Sequence, residues 1–433
     1  MSCGGEQQPL HQCFETLELC LCRKWQLRFR RSRDDVDIMK ILTVHNTYQQ
    51  RGGEDVVLEE ETRLLKSHGH IVIRYGRDNA ELKGTGGIGA LAAAGETVWS
   101  CSSHAAMREI LKKEKPDIAH FHNTFPLISP SAYYACAEAG VPVVQTLHNY
   151  RLLCPAASLL RDGQVCESCM RRAAPWPGVL HACYRGSRPA TLATAVMLSV
   201  HRALRTWRNK VNLYIALTEF ARRKFIEGGL PADRIVVKCN FVVHRSTRWA
   251  PCGDYALFVG RLSAEKGPQL LPAAWQRLQT HIPLRVMGDG PLLEPLRETI
   301  GRCGQASRIE LMGRRTSEEV AVLMAGARFL IVPSVWYEAF PLTVAEAYSC
   351  GLPVIASRIG ALAEIVQDGV TGLHFKPGDP ADLAAKVEWA WTHPDAMEEM
   401  GRAARREYEA KYTAEANYQM LVQIYRHVSA TGA

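Results

Sequence analysis

The 433-residue sequence lacks any apolar run long enough to cross a bilayer. The longest, from Thr191 to Val200, falls far short of the ~20 residues that a membrane-spanning helix needs. A secretory leader is not expected either, because Glu15 and Glu18 interrupt the one apolar stretch near the start. The sequence therefore predicts a cytoplasmic protein, and we expect its 14 cysteines to be reduced thiols rather than a disulfide framework.

Extremes of composition are absent as well. Hydrophobic residues make up 47% and charged residues 22% of the chain, which excludes a disordered or fibrous protein and fits a globular enzyme. The net charge of +8 is uneven, because residues 161–250 carry 16 Lys or Arg against 5 Asp or Glu. Such an excess indicates either a solvated basic face or a surface that meets anions, such as lipid head groups or phosphates. Aromatic stacking motifs and a nucleic-acid-binding module are missing, so nucleic acid is not expected as a partner.

The length and the pattern along the chain predict two domains. The chain exceeds the ~100 to 200 residues of one domain. Residues 1–38 lack periodicity and are interpreted as a disordered extension or a misplaced start, since MKILTVH from Met39 reads as an opening strand. A linker within 243–253 separates an N-terminal domain at 39–245 from a C-terminal domain at 246–433. The last helix is expected to pack back on the N-terminal domain.

Short apolar runs alternate with amphipathic stretches, which is typical of an α/β fold with parallel strands and crossover helices. The predicted strands are Lys40 to His45, His70 to Tyr75, Asp117 to Phe121, Pro142 to Leu147, Leu213 to Leu217, Tyr255 to Val259, Leu284 to Met287, Phe329 to Val332 and Pro353 to Ala356. The predicted helices are Glu54 to His68, His104 to Glu114, Pro189 to Val211, Gln269 to Gln279, Leu292 to Arg302 and Thr343 to Cys350. Two doubly wound, Rossmann-like domains follow, with a ligand cleft between them.

Two glutamates follow the apolar strand RFLIVPS, in the segment YEAFPLTVAEA. Glu338 lies in the predicted loop and Glu346 on the helix that the loop enters. Carboxylates accept hydrogen bonds from vicinal hydroxyls, so this pair is suited to hold two sugars. The helix N-terminus beside them favours a diphosphate. A pair of solvated surface glutamates is the alternative interpretation.

Two cations follow another strand of the same domain, in FVGRLSAEKG. Arg261 and Lys266 are placed to neutralise a departing diphosphate without a catalytic metal. Further along, VMGDGPL supplies a glycine-rich turn with Gly288 and Gly290 before a helix. These four residues add a phosphate-handling element to the glutamate pair.

FVGRLSAEKG, VMGDGPL and YEAFPLTVAEA follow one another in this order along the chain. Together they resemble glycosyltransferase family 4, the retaining enzymes of the GT-B fold. The resemblance covers Met39 to about His427 and is most specific in the C-terminal domain. It implies that Arg261 and Lys266 bind the donor diphosphate, that Glu338 contacts the transferred sugar, and that Glu346 binds ribose. It also implies a hexosyltransferase that uses a UDP- or GDP-sugar and a sugar or lipid-linked acceptor in cell-surface polysaccharide or glycolipid synthesis.

One position departs from the family pattern. Pro341 stands where many members have glycine, and proline has no amide hydrogen. Any backbone contact with phosphate is therefore expected from Phe340 or Leu342.

The N-terminal domain contributes two further candidate segments. In QQRGGEDVVL, Gly52 and Gly53 lie between the first strand and the first helix, where glycine allows the backbone to approach a phosphate; a plain tight turn is the alternative. His148 follows the strand that ends at Leu147, and the resemblance places it against the donor sugar. Neighbouring polar residues are interpreted as its support: His120, His122 and Asn123.

Four cysteines cluster in an insert at residues 150–190, namely Cys154, Cys166, Cys169 and Cys183. Four thiolates can bind a structural zinc ion, although the segment has one CxxC unit where zinc ribbons have two. Reduced buried thiols are the alternative. No cofactor is expected for catalysis in either case.

The predicted helix from Pro189 to Val211 carries an apolar stripe beside several arginines. Such a helix either packs on its own domain or docks on an anionic membrane that carries a lipid-linked acceptor. Two other functions stay open from the residues alone. One is a GT-B sugar-nucleotide epimerase, and the other is a non-catalytic protein that binds sugar nucleotides and docks on membranes.

Overall fold

The computed structural model of the protein describes residues 38–47, 52–82, 88–243 and 253–431. The predicted extension at 1–38 and the predicted linker at 243–253 lie almost wholly outside these ranges. No helix among the described residues is long and apolar enough to cross a membrane.

The N-terminal domain is built on a six-stranded parallel sheet in the order β2-β1-β3-β4-β7-β8. Its central strands are buried on both faces, as expected where helices cover both sides of a sheet. The strands are β1 Lys40–Thr47, β2 Ile71–Asp78, β3 Ile118–Asn123, β4 Val143–Leu147, β7 Leu213–Ala216 and β8 Ile235–Val237, with a small antiparallel hairpin of β5 Leu160–Arg161 and β6 Gln164–Val165 in the cysteine insert.

Helices connect these strands, and several begin at side-chain caps. Ser100, Ser187 and Thr218 each accept a hydrogen bond from an amide of the following helix, which satisfies a donor that the helix itself leaves free. The helices are α1 Gly53–Ser67, α2 Ile88–Val98, α3 Cys101–Glu114, α4 Ser131–Glu138, α5 Trp176–Leu180, α6 Arg188–Ala203, α7 Thr206–Asn209 and α8 Glu219–Glu227.

The C-terminal domain has a second six-stranded parallel sheet in the order β11-β10-β9-β12-β13-β14. Its strands are β9 Ala256–Val259, β10 Leu284–Met287, β11 Ile309–Gly313, β12 Phe329–Val332, β13 Val354–Ser357 and β14 Gly372–Phe375. Its helices are α9 Leu270–Trp275, α10 Leu293–Arg302, α11 Ser317–Ala325, α12 Leu342–Ser349, α13 Leu362–Ile365, α14 Pro380–Thr392 and α15 Pro394–Lys411. The prediction of two doubly wound Rossmann-like domains is confirmed.

The final helix, α16 Ala414–Thr431, packs on the N-terminal sheet. Tyr418, Leu421 and Tyr425 lie in one buried cluster with Ile41 and Val144 of strands β1 and β4. The chain therefore crosses back to the domain in which it began, and α16 covers the face of the sheet beside α1.

The prediction of one helix from Pro189 to Val211 is wrong. Helix α6 ends at Ala203, and Arg205 adopts a left-handed conformation with φ of 53°. The turn is held by Thr206, whose hydroxyl group lies 2.9 Å from Nδ1 of buried His201 and 2.9 Å from the Tyr134 hydroxyl. These buried polar contacts outweigh the apolar periodicity that suggested a continuous helix.

Each sheet has one point at which the strand order reverses. In the N-terminal sheet it lies between β1 and β3, and in the C-terminal sheet between β9 and β12. Loops that leave neighbouring strands at such a point diverge and leave a crevice at the carboxyl edge, where doubly wound proteins bind ligands. The segments after β9 and β12 hold Lys266 and Glu338, so the fold itself brings these two side chains together.

Candidate functional site

The centre of the C-terminal site is an ion pair between Lys266 and Glu338. Lys266 Nζ lies 2.8 Å from Glu338 Oε2, and the Ser334 hydroxyl donates to the other carboxylate oxygen at 2.6 Å. Glu338 is only 5% exposed, whereas the Lys266 side chain is 28% exposed. Gly267 makes this possible, since it has φ of 72° and an added Cβ would lie 2.0 Å from the carbonyl oxygen of Pro333.

Arg261 lies on the same loop after β9 as Lys266. It is exposed, and within the described ranges it forms no ion pair. The predicted glycine turn packs directly on this loop: an added Cβ on Gly288 would lie 1.8 Å from the carbonyl oxygen of Gly260, and one on Gly290 would lie 2.5 Å from that of Leu262. The two glycines thus let two loops approach closely and position Arg261, an indirect role that the sequence analysis had not assigned to them.

Helix α12 begins next to Glu338. Pro341 is its N-cap residue, and its carbonyl oxygen accepts from the amide of Val344. Phe340 is buried, and Leu342 is half-buried as the first helical residue. Glu346 lies on the same helix, half-buried. Because a helix N-terminus carries partial positive charge, this end of α12 favours an anion in front of it.

The N-terminal domain meets this site through its glycine segment and the loop after β4. An added Cβ on Gly53 would lie 3.2 Å from Leu342, so the start of α1 faces the start of α12. The amide of Gly52 donates to Asp55 at 2.7 Å and is therefore already engaged within its own helix end. The Tyr150 hydroxyl donates to the carbonyl oxygen of Glu338 at 3.4 Å, which joins the two domains at the site.

His148 lies at the carboxyl end of β4 and lines a pocket with Asn123 and Arg151. Its Nε2 atom is 2.9 Å from Nδ1 of His122. Burial, and then the neighbouring His122, lowers the pKa of His148 well below its ordinary value. Asn123, by contrast, is used structurally, because its amide donates to the carbonyl oxygen of Asn46. His148 is thus a neutral ring whose Nε2 atom is hydrogen-bonded to His122.

Behind the histidines is a buried carboxylate that the sequence analysis missed. Glu61 on α1 lies 3.4 Å from Nε2 of His122 and 3.3 Å from Nζ of Lys238, and all three side chains are buried. Burial raises the pKa of Glu61, but Lys238 and His120 outweigh it and hold this pKa well below its usual range. A signal was present, since Glu61 falls on the buried stripe of α1 with Val57, Leu58 and Leu65.

The four cysteines of the insert lie near one another. Gly178 lies close to three of them. An added Cβ at Gly178 would lie 3.5 Å from Cys169 Sγ and 3.1 Å from Pro155, the residue that follows Cys154. The carbonyl oxygen of Gly178 accepts a hydrogen bond from the amide of Cys183. Burial, and then the nearby thiol of Cys154, raises the pKa of Cys169 to about 11. Among the described residues, however, only Glu61, His120 and His122 form a group of three potential metal ligands within 4.8 Å of one another. The thiols are gathered, but no three of them are at ligating spacing.

Two family models match consecutive parts of the chain. Residues 51–245 match the model described as Glycosyltransferase Family 4, and residues 244–407 match the model described as Glycosyl transferases group 1. Together they span both domains.

Solved structures share the fold. The Anabaena protein HepE, in complex with UDP and glucose, superposes with a TM-score of 0.63 at 18% identity, covering 90% of this chain and 100% of that one. A sucrose-phosphate synthase from Thermosynechococcus elongatus gives a TM-score of 0.67 at 16% identity, covering 91% of this chain and all of that one.

Curated relatives match over part of their length. An uncharacterized glycosyltransferase of Methanocaldococcus jannaschii is 33% identical over 41% of this chain and 50% of its own. The D-rhamnosyltransferase WbpZ of Pseudomonas aeruginosa is 33% identical over 37% of this chain and 42% of its own. The matches thus span about half the length of these relatives. With both family models matched and the GT-B architecture of two facing Rossmann-like domains, the chain belongs to glycosyltransferase family 4.

Proposed function

We propose that this protein is a retaining glycosyltransferase that moves a hexose from a nucleoside diphosphate donor to an acceptor of cell-surface polysaccharide or glycolipid synthesis. The observation that carries the proposal is the Lys266–Glu338 pair at the switch point of the C-terminal sheet, next to the N-terminus of α12. A cation there suits a leaving diphosphate, and a carboxylate suits sugar hydroxyls. The UDP complexes of the structural neighbour HepE support a UDP-sugar, with a GDP-sugar as the second candidate.

In this proposal the donor binds mainly to the C-terminal domain. Arg261 and Lys266 stabilise the negative charge that develops on the leaving diphosphate, which requires no catalytic metal. Glu346 binds the ribose, while Glu338 and His148 hold the sugar. The acceptor then attacks from the face that the diphosphate leaves, so the anomeric configuration is retained. We assign no covalent nucleophile.

The test is a panel of UDP-, GDP- and ADP-sugars, each assayed for thermal stabilisation of the protein and for transfer to added acceptors. A donor at 100 times its dissociation constant adds about 2.7 kcal/mol to the free energy of unfolding. We expect one nucleotide class to stabilise the protein, Glu346→Ala to abolish the effect, and Glu398→Ala on α15 to preserve it. A folded protein that no donor stabilises would contradict the proposal, and epimerisation of the donor without transfer would favour the epimerase.

We also propose that the protein works at the cytoplasmic face of an anionic membrane. The apolar stripe predicted on the 189–211 segment is divided: Leu192, Val196 and Leu204 are 52%, 41% and 55% exposed, whereas Trp207 is buried. Helix α5 packs on α6 and exposes Trp176 and Leu180 as well. Apolar side chains of this kind, set in a segment with a net charge of +11, are typical of surfaces that dock on acidic lipids.

Vesicle co-sedimentation tests this docking. We expect binding to vesicles that contain phosphatidylglycerol, weaker binding to neutral vesicles, and a loss of binding in the double variant Leu192→Glu, Val196→Glu. The matched control is the double variant Val322→Glu, Val370→Glu in the C-terminal domain. It replaces two exposed apolar side chains with the same change of charge and should still bind. Equal binding of all three proteins would contradict membrane docking through α6.

Structural zinc remains our proposal for the cysteine insert. The proximity of the four thiols supports this proposal. Because the sulfur atoms are farther apart than the ligands of one ion, they must move closer together when zinc binds. We expect about one zinc ion per chain by elemental analysis of protein purified without chelator, and loss of that zinc in Cys169→Ser. Metal-free wild-type protein of unchanged stability would show that the thiols are simply reduced.

A further inference from the structure

We propose that Glu61 and His122 are positioning residues that fix the tautomer of His148, so that its Nδ1 atom is left as a hydrogen-bond acceptor for a sugar hydroxyl. This inference rests on the proposed function, in which His148 contacts the sugar. It assigns a task to a buried carboxylate and to a buried histidine that lines the pocket together with His148.

Three groups form a line from the core of the N-terminal domain to the pocket. Glu61 Oε1 lies 3.4 Å from Nε2 of His122, an electrostatic contact rather than a hydrogen bond, and Nδ1 of His122 lies 2.9 Å from Nε2 of His148. The two imidazole rings stack with an interplanar angle of 19°. Glu61 and His122 are buried and His148 is partly exposed, and both histidines line the pocket. In the described part of the chain no hydrogen bond reaches Nδ1 of His148.

The proton count follows from the charges. Burial, reinforced by His120, lowers the pKa of His122 to about 3, and the pKa of His148 is lowered as well, so both rings are neutral near pH 7. Lys238 and His120 keep Glu61 ionised. Two neutral rings 2.9 Å apart share one proton on the line between them.

That proton is bonded either to Nδ1 of His122 or to Nε2 of His148, and the charge of Glu61 decides which. If His122 carried it on Nδ1, the lone pair of its Nε2 would lie beside the negative carboxylate of Glu61, and the two would repel each other. If His148 carries it on Nε2, His122 is protonated on Nε2, and the positive end of that N–H lies beside the carboxylate and is attracted to it. The second arrangement is the favourable one, and it leaves Nδ1 of His148 without a proton.

The same cluster is a poor metal site, although Glu61, His120 and His122 lie within 4.8 Å of one another. Both nitrogens of His120 have partners already, the Tyr425 hydroxyl at 2.7 Å and the Thr146 hydroxyl at 2.8 Å. Lys238 places an ammonium group beside Glu61, which opposes a second cation. A network of oriented protons accounts for these contacts without an ion.

The chemical consequence is a preference among donor sugars. A bare Nδ1 accepts a hydrogen bond from a hydroxyl group, whereas it repels a carboxylate or carbonyl oxygen. We therefore expect a neutral hexose to be preferred to the corresponding uronic acid at the position that faces His148.

The first test is nitrogen-15 NMR of the full-length protein labelled at histidine, which reports which ring nitrogen of each histidine carries hydrogen. His148→Asn identifies its signals. We expect His148 to be protonated on Nε2 alone in the wild-type protein. A proton on Nδ1 of His148 would overturn the inference, while leaving donor binding and transfer, and hence the proposed function, intact.

A matched pair of variants tests the role of His122. In His122→Asn, the amide oxygen takes the place of Nδ1 and still accepts from His148. In His122→Leu, no acceptor remains. We expect the leucine variant to lose the single tautomer and to lower kcat/KM by about 10- to 100-fold, while asparagine restores both. Glu61→Gln offers an amide N–H to His122 and should move the proton of His148 to Nδ1. An unchanged tautomer in both His122→Leu and Glu61→Gln would overturn the inference.

Discussion

The two domains hold their lysine–glutamate pairs in opposite ways. In the C-terminal domain, Lys266 and Glu338 lie on loops at the edge of the sheet, and the lysine side chain is 28% exposed. In the N-terminal domain, Lys238 and Glu61 of α1 are only 2% and 3% exposed. The Lys266–Glu338 pair is accessible to a ligand, whereas the Lys238–Glu61 pair is buried in the core. Similar charges therefore serve binding at the open edge of one sheet and structure in the core of the other domain.

The buried pair also joins distant parts of the chain. Lys238 Nζ is 3.1 Å from the Asn417 amide oxygen as well as 3.3 Å from Glu61, so it connects α1 to the final helix α16. Breaking each pair should therefore affect different properties of the protein.

The largest effect is expected from Lys238→Ala. This change leaves the ionised carboxylate of Glu61 buried without its main partner, which costs about 3 to 5 kcal/mol of unfolding free energy. Urea titration followed by tryptophan fluorescence measures the loss. The double variant Lys238→Met, Glu61→Leu removes both charges and should recover most of it. Lys238→Ala with wild-type stability would show that the two pairs do not differ as we describe.

The second effect concerns activity at the open pair. Lys266→Ala removes a cation from the leaving diphosphate and should lower kcat by about 10²- to 10³-fold. Because Lys266 is partly exposed, the midpoint of urea unfolding should change little. Lys376→Ala, which removes a 77% exposed lysine of the same domain, is the matched control and should keep full activity. Equal rates in the two variants would remove Lys266 from the proposed mechanism.

This contrast also explains what could be predicted from the sequence. Residues of the open site follow their strands directly in the chain, so RFLIVPS and YEAFPLTVAEA were enough to place Glu338, and the paired domains followed from the alternation of strands and helices. The buried network is assembled from α1, β3, Lys238 and α16, which lie far apart in the chain. No local pattern indicates that Glu61 meets His122, and the break at Arg205 depends on buried contacts of Thr206 that the apolar periodicity does not reveal.

The third effect is a difference in acid sensitivity. Burial lowers the pKa of four histidines in the N-terminal domain, His70, His122, His148 and His201, and of His374 in the C-terminal domain. A histidine with a lowered pKa in the folded state binds its proton more readily when unfolded. Stability therefore falls as pH drops below about 6.5, by about 1.4 kcal/mol per pH unit for each histidine that stays neutral.

For His122 this loss extends down to its folded pKa of about 3, and the lowered pKa of Glu61 adds to it only below about pH 4.3. Hydrogen exchange at pH 7 and pH 5 separates the domains. We expect amides of β3 and β4 to lose protection at pH 5 before those of β12 and β13. His122→Asn should flatten the pH dependence of the N-terminal strands, and simultaneous loss of protection in both sheets would contradict the asymmetry.

The smallest effect compares two helix caps. Thr316 caps α11 and Thr218 caps α8, each accepting from an amide of its helix, so replacing either with alanine should cost about 1 kcal/mol of unfolding free energy. Thr218 has a second contact, because its hydroxyl reaches the carbonyl oxygen of Ala339, next to Glu338, at 3.5 Å. We therefore expect Thr218→Ala to lower kcat/KM as well, whereas Thr316→Ala changes stability alone. Measuring both properties in both variants separates a cap from a contact between the domains, and equal kcat/KM values would show that the Thr218 contact does not position the site.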